Sequence, residues 1–166
     1  MIALPDSRPV ASAPRSILFM CRMNSIRSPM AEALAKALLP AGTYVASAGV
    51  MSGQIDPFVE VVLQEVGLTG GRHQPHTLED LEDDYFDMIV TLAPEAHHIA
   101  LELTRASAVD VIYWPTPDPT VAEGSRDHVV AAYREVRNHL AALIEQRLGA
   151  AASARQSESI FGKPDA

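Results

Sequence analysis

A chain of 166 residues, 48% apolar and 20% charged, has room for one domain with a single substantial core and lacks the composition of a disordered protein. Its formal charge of −8, from 13 Lys and Arg against 21 Asp and Glu, would repel nucleic acid and anionic membranes over most of the surface; an anion site must therefore be local, built from backbone N–H groups and a few cations. One cysteine excludes an internal disulfide, residues 1–16 are broken by Pro5, Pro9 and Pro14 and do not pattern as a secretory signal, and no apolar run could span a bilayer, so the expected compartment is the cytoplasm.

In chain order, residues 1–14 read as a flexible N-terminal arm, 15–149 as the folded domain and 150–166 as a flexible, Ala/Ser-rich C-terminal tail. Residues 17–20 are a short apolar run of strand length. From 29 to 39 the spacing turns helical, with Met30, Leu34 and Leu38 on one face and Pro29 suited to the first turn. Tyr44, Val45 and Ala46 predict a second strand, closed by Ser47, Ala48 and Gly49. Asp56 and Pro57 form a capped start for a helix carrying Val61, Val62, Leu63 and Val66, with Gly67 as its stop. Residues 86–92 predict a third strand, Pro94 opens a helix, and 109–113 predict a fourth strand. A last helix over 125–148 places Val129, Val130, Tyr133, Val136, Leu140, Leu143 and Ile144 on a broad apolar face.

Strand–helix alternation of this kind predicts an α/β fold, an open parallel sheet with helices on both faces. Such sheets bind ligands at the carboxyl ends of their strands, so the loops beginning at Cys21, Ser47, Thr91 and Trp114 should border one crevice.

The loop after the first strand carries the strongest chemical signal. Cys21 ends the strand, Arg22, Met23, Asn24, Ser25 and Ile26 follow, and Arg27 precedes the helix begun by Ser28 and Pro29. A loop this short feeding a helix N-terminus can turn its N–H groups inward as an anion-binding nest, and Arg27 adds a planar fork of donors matched to a phosphate. The same helix end and cation favour the thiolate of Cys21, the nucleophilic form. Ser28 can donate its hydroxyl to that sulfur, and Asn24 belongs to a residue type that tolerates left-handed backbone angles and can brace the bend with its side chain.

The run Cys21-x5-Arg27-Ser28-Pro29-Met30-Ala31-Glu32 resembles the signature of the low-molecular-weight protein tyrosine phosphatases and the related arsenate reductases, a likeness that spans roughly residues 16–148. The resemblance implies a four-stranded parallel sheet, Cys21 as nucleophile, Arg27 as phosphate clamp, and Asn24 and Ser28 as supports of the loop. Ser47, Ala48 and Gly49 resemble the family's Ser-Ala-Gly segment, which implies that Ser47 props the loop through Asn24. His73 resembles a histidine that supports the loop from behind. Two positions depart from the pattern: the loop's usual glycine is Met23, which is either tolerated by the backbone or shapes the pocket rim, and the second loop cysteine of many members is Ile26.

Attack by a thiolate on phosphorus leaves an oxygen that needs a proton. After the fourth strand comes Trp114-Pro115-Thr116-Pro117-Asp118-Pro119, a loop stiffened by three prolines, and Asp118 stands where the family carries its Asp-Pro general acid. Thr120 and Val121 follow where many tyrosine-specific members have aromatic residues. Ala93 stands where some members place a strand-ending aspartate. His97 and His98 are adjacent, face different sides of a helix and do not form a chelating pair; no metal and no cofactor is expected. Tyr113 and Trp114 read as core or crevice wall, and the acidic run at 79–84 as a solvated helix end.

The implied activity is phosphomonoester hydrolysis, with protein phosphotyrosine or a small phosphoester as substrate. An arsenate reductase is the alternative, but a chain with one cysteine would need an external thiol to discharge the sulfur–arsenic adduct. A phosphate-binding module without turnover is the third.

Overall fold

The computed structural model describes residues 4, 5, 14–82 and 85–149. Most of the expected arm at 1–14, the whole of the tail at 150–166, and Asp83 and Asp84 of the acidic run lie outside the described residues. Four strands, β1 (Ser16–Cys21), β2 (Tyr44–Gly49), β3 (Met88–Thr91) and β4 (Asp110–Tyr113), form one parallel sheet in the order β2-β1-β3-β4. The connections carry α1 (Arg27–Leu38), α2 (Pro57–Gln64) and α3 (Pro94–Leu103), and α4 (Arg126–Leu143) follows β4.

Strand β1 has a neighbour on each side and is covered on both faces, which is why it reads as an unbroken apolar run rather than an alternating one. Ile17 and Phe19 face a core closed by Met30 and Leu34 of α1, Val62 and Leu63 of α2, and Val136 and Leu140 of α4. Leu18 and Met20 face the opposite layer, where Ala96 and Ala100 let α3 approach the sheet closely. Trp114 belongs to the first layer, fully buried with its ring tilted against Phe19 at 6.4 Å. The predicted four-stranded parallel sheet with helices on both faces is therefore the architecture observed.

Boundaries differ in instructive ways. Helix α1 starts at Arg27, two residues before Pro29, so Arg27 and Ser28 occupy its first turn. Strand β2 continues through residues 47–49 because they stay in register with residues 19–21 of β1, Cys21 lying opposite Gly49. Strand β3 is shorter than 86–92, since its ladder begins at Met88 opposite Ile17, while Asp87 turns its carboxylate to the amides of Arg15 and Ser16. Helix α4 passes into a π-helical turn, Ile144–Gly149, that keeps Ile144 and Leu148 buried.

Two sequence signals act as read. Asp56 caps α2 by accepting from the Phe58 amide at 2.9 Å, and Gly67 adopts φ +75° just beyond that helix. The second oxygen of Asp56 accepts from the Tyr133 hydroxyl at 2.7 Å, which ties α2 to α4; burial first, and then this bond, push the phenol well above its ordinary range. Among the described residues no helix is long and apolar enough to cross a membrane.

Candidate active site

The site begins where β1 ends. Beyond Cys21 the chain does not leave its neighbour at once: the carbonyls of Cys21, Arg22 and Met23 accept from the amides of Val50, Met51 and Gly53 at 3.1, 3.0 and 2.9 Å. This contact sets residues 21–23 directly on Gly49, where a Cβ would lie 2.8 Å from the Asn24 nitrogen and 2.8 Å from the Met23 carbonyl carbon. Glycine at 49 is thus a condition for the loop's path.

Asn24 then reverses the chain. It is the only non-glycine residue with positive φ among those described, at +54°, and it is wholly buried. Both protons of its side-chain amide are used, one to Ser28 Oγ and one to Ser47 Oγ, each at 2.9 Å. Its Oδ1 accepts from the His76 amide at 3.1 Å, its carbonyl lies 2.9 Å from His73 Nε2, and its own amide points at Cys21 Sγ from 3.3 Å. One residue therefore joins β1, α1, β2 and the segment before the short helix Leu78–Asp80, its backbone amide reaching β1 and its side chain the other three.

Cys21 is 2% exposed, with Ser28 Oγ 2.9 Å from its sulfur. Because Asn24 already donates to that hydroxyl, the Ser28 proton has two places to go, Cys21 Sγ or the Ala48 carbonyl at 3.4 Å, and the shorter contact is to sulfur. No side chain caps α1, so the amides of its first turn remain directed at the loop.

The second wall comes from the segment after β4. Arg27 donates to the Thr116 carbonyl at 3.0 Å, joining the two loops, and Thr116 in turn donates its hydroxyl to the Trp114 carbonyl. Asp118, exposed, starts the short 3-10 helix Pro119–Val121 and accepts at Oδ1 from both the amide and the hydroxyl of Thr120. Cys21, Arg22, Met23, Ser25, Ile26 and Arg27 of the first loop, with Asp118 and Thr120 of the second, line one pocket of about 90 Å³. A wider, mostly apolar crevice of about 330 Å³ between residues 117–122 and α4 shares Asp118 with it.

All the residues singled out in the loop thus come together. Met23 keeps a negative φ, so its position makes no demand for glycine, and its side chain, 40% exposed, forms part of the pocket wall. Of the four loops expected at one crevice, two line it. Ser47 is buried beneath the loop and touches it through Asn24, because β2 runs on past it. Thr91 is also buried, its hydroxyl engaged by the Ile112 carbonyl and His97 Nδ1. His97 packs edge-on against Tyr113, whose phenol is raised by burial and by Glu95 while Arg27 acts the other way.

Sequence reasoning missed His76, whose Nε2 lies 2.6 Å from the Ser47 carbonyl and whose Nδ1 lies 2.8 Å from that of Gln74. It also missed Thr116 and Thr120. Contacts made through backbone atoms leave little trace in residue type; only the hydroxyl of Thr120, two places after Asp118, was a readable hint. Among the described residues, no group of three or more His, Cys, Asp or Glu side chains is placed to hold a metal ion.

Comparison with known proteins places this geometry in context. An arsenate reductase of Halalkalibacterium halodurans is 29% identical over 75% of this chain and 88% of its own length. The YwlE arginine phosphatase of Geobacillus stearothermophilus superposes with a TM-score of 0.71 at 25% identity, covering 92% of this chain and all of that one. The tyrosine phosphatase AmsI of Erwinia amylovora shares the fold, with a TM-score of 0.64 at 24% identity over 86% of this chain and 96% of its own. Residues 16–157 match the family described as low molecular weight phosphotyrosine protein phosphatase, and the chain belongs to that family.

Proposed function

We propose that the protein is a phosphomonoester hydrolase, acting foremost on phosphotyrosine in proteins, that works through a phosphocysteine at Cys21. The observation that carries this reading is that the chain's only sulfur nucleophile and a carboxylate from the loop after β4 line the same small pocket. The loop amides and the free face of the Arg27 guanidinium bind the phosphoryl oxygens, with Asn24, Ser28, Ser47 and His73 holding the loop in shape. The Cys21 thiolate attacks phosphorus, the P–O bond to the leaving group breaks, and Asp118 gives that oxygen its proton. Water then attacks the phosphocysteine, Asp118 takes the water's proton, and the P–S bond breaks to return the thiolate, steadied by Ser28. The apolar crevice beside Asp118 gives an aromatic leaving group somewhere to lie.

A second reading is favoured by the curated arsenate reductases among the relatives. Arsenate would condense with the Cys21 thiol, an As–O bond breaking as water leaves; an external thiol would then attack the sulfur, breaking the S–As bond and passing its two electrons to arsenic, releasing arsenite and leaving a mixed disulfide for a second thiol to reduce. With one cysteine in the chain, every relay thiol would have to come from outside.

Purified protein incubated with p-nitrophenyl phosphate should release phosphate; Cys21→Ser should lose that activity outright, and Asp118→Asn should lose turnover (kcat) because it removes the base for the water that cleaves the phosphocysteine. A panel of phosphotyrosine, phosphoserine and phosphoarginine peptides then ranks the substrates. Arsenate-dependent consumption of added thiol, without hydrolysis of any phosphoryl compound, would establish the second reading instead.

A further inference from the structure

We propose that Thr120 is a positioning residue for Asp118, holding one carboxylate oxygen so that the other exchanges the proton with the leaving group. The inference rests on the assignment of Asp118 as the general acid. Asp118 is an exposed side chain, and nothing about exposure alone would keep its carboxyl plane in one orientation. Pro117 and Pro119 restrict the backbone on both sides, with Asp118 at φ −82° and ψ 113°, but they do not fix the side-chain torsions. Thr120 does. Its amide donates to Oδ1 at 2.9 Å and its hydroxyl to the same oxygen at 2.7 Å, while among the described residues no hydrogen bond reaches Oδ2.

Two donors on one oxygen have a chemical consequence. A carboxylic acid carries its proton on one oxygen, and an oxygen that already accepts twice is the poorer place for it. The proton therefore resides on Oδ2, in the orientation that the two bonds impose. Thr120 lines the same pocket as Asp118 and Cys21, so the arrangement sits where the leaving oxygen departs. Proton transfer from an acid already oriented does not spend the rotational freedom of an exposed side chain at each turnover.

The test compares esters that need the proton to different degrees. For Thr120→Val, which keeps the shape and the amide bond but loses the hydroxyl, kcat/KM on phenyl phosphate should fall about tenfold. On p-nitrophenyl phosphate, whose anion leaves readily without a proton, the fall should stay within about threefold, because kcat/KM reports formation of the phosphocysteine. Thr120→Ser should restore the parent values. In an Asp118→Asn background, Thr120→Val should cost nothing further. Equal losses on both esters, an undiminished cost of Thr120→Val in the Asp118→Asn background, or failure of the serine variant to rescue would overturn the role of Thr120 while leaving Asp118 in place. Full phenyl phosphate activity in Asp118→Asn alone would instead remove the acid, and the positioning role with it.

Discussion

Replacing Asn24 by alanine tests how the loop is held. The change deletes three side-chain hydrogen bonds, to Ser28, Ser47 and the His76 amide, in a place where no solvent replaces them. At about 1 kcal/mol net for each, the loss is ~3 kcal/mol. Alanine must also hold φ near +54°, which adds about 1 kcal/mol, so Asn24→Ala should destabilise by about 4 kcal/mol. Asn24→Gly removes the same bonds but accepts the left-handed angle, and the extra freedom of an unfolded glycine offsets only about 0.5 kcal/mol of that relief. It should therefore be the less damaged of the two, by about 0.5 kcal/mol. Urea unfolding monitored through Trp114, which is buried in the core, measures both values. A loss below 1 kcal/mol in either variant, or alanine proving at least as stable as glycine, would refute the picture of a strained turn secured by one amide.

Gly49→Ala sets a methyl group against the backbone of residues 23 and 24; kcat/KM on p-nitrophenyl phosphate should drop at least about tenfold and stability by about 2 kcal/mol, and unchanged kinetics would show that the loop does not rest there. Arg27→Lys keeps the charge but loses the planar fork, so inorganic phosphate measured by calorimetry should bind roughly 10- to 100-fold more weakly, whereas equal affinity would mean that only charge matters. Glu65 is gripped by Arg134 and then Arg137, which draws its carboxyl from the ordinary 4.5 to about 2. A carboxylate with a lowered folded-state value stabilises the protein above the unfolded value and stops doing so as acid protonates it. Glu65→Gln should thus be less stable than the parent at pH 7, with urea midpoints converging as the pH falls from 4.5 towards 2; a pH-independent gap would count against the ion pairs as its cause.

What the amino-acid order could convey follows the range of the interactions. Period and punctuation are local, so Ile17 to Met20, Pro57 after Asp56 and Gly67 located their elements correctly. The left-handed turn was legible at Asn24 because few residue types tolerate it. The extension of β2 through Gly49 was not, since strand ends depend on the partner's register. Nor was the clasp of Glu65 by Arg134 and Arg137, made across about seventy residues by side-chain types that usually mean solvent. At the site, Cys21 and Arg27 lie six positions apart across one short loop and were legible together, whereas His76 and Thr116 act on or through carbonyls, which every residue possesses.

The replacement of a second loop sulfur by Ile26 bears on what peroxide would do to this protein. Oxidation of Cys21 to a sulfenic acid leaves it facing a hydroxyl and an amide, with no intramolecular thiol to trap it as a disulfide. Recovery then depends on a small reductant such as glutathione entering the same narrow pocket proposed for the phosphoryl group, and any anion seated there would stand in its way. In such a design the ligand itself shields the sulfur from overoxidation to the irreversible sulfinic state.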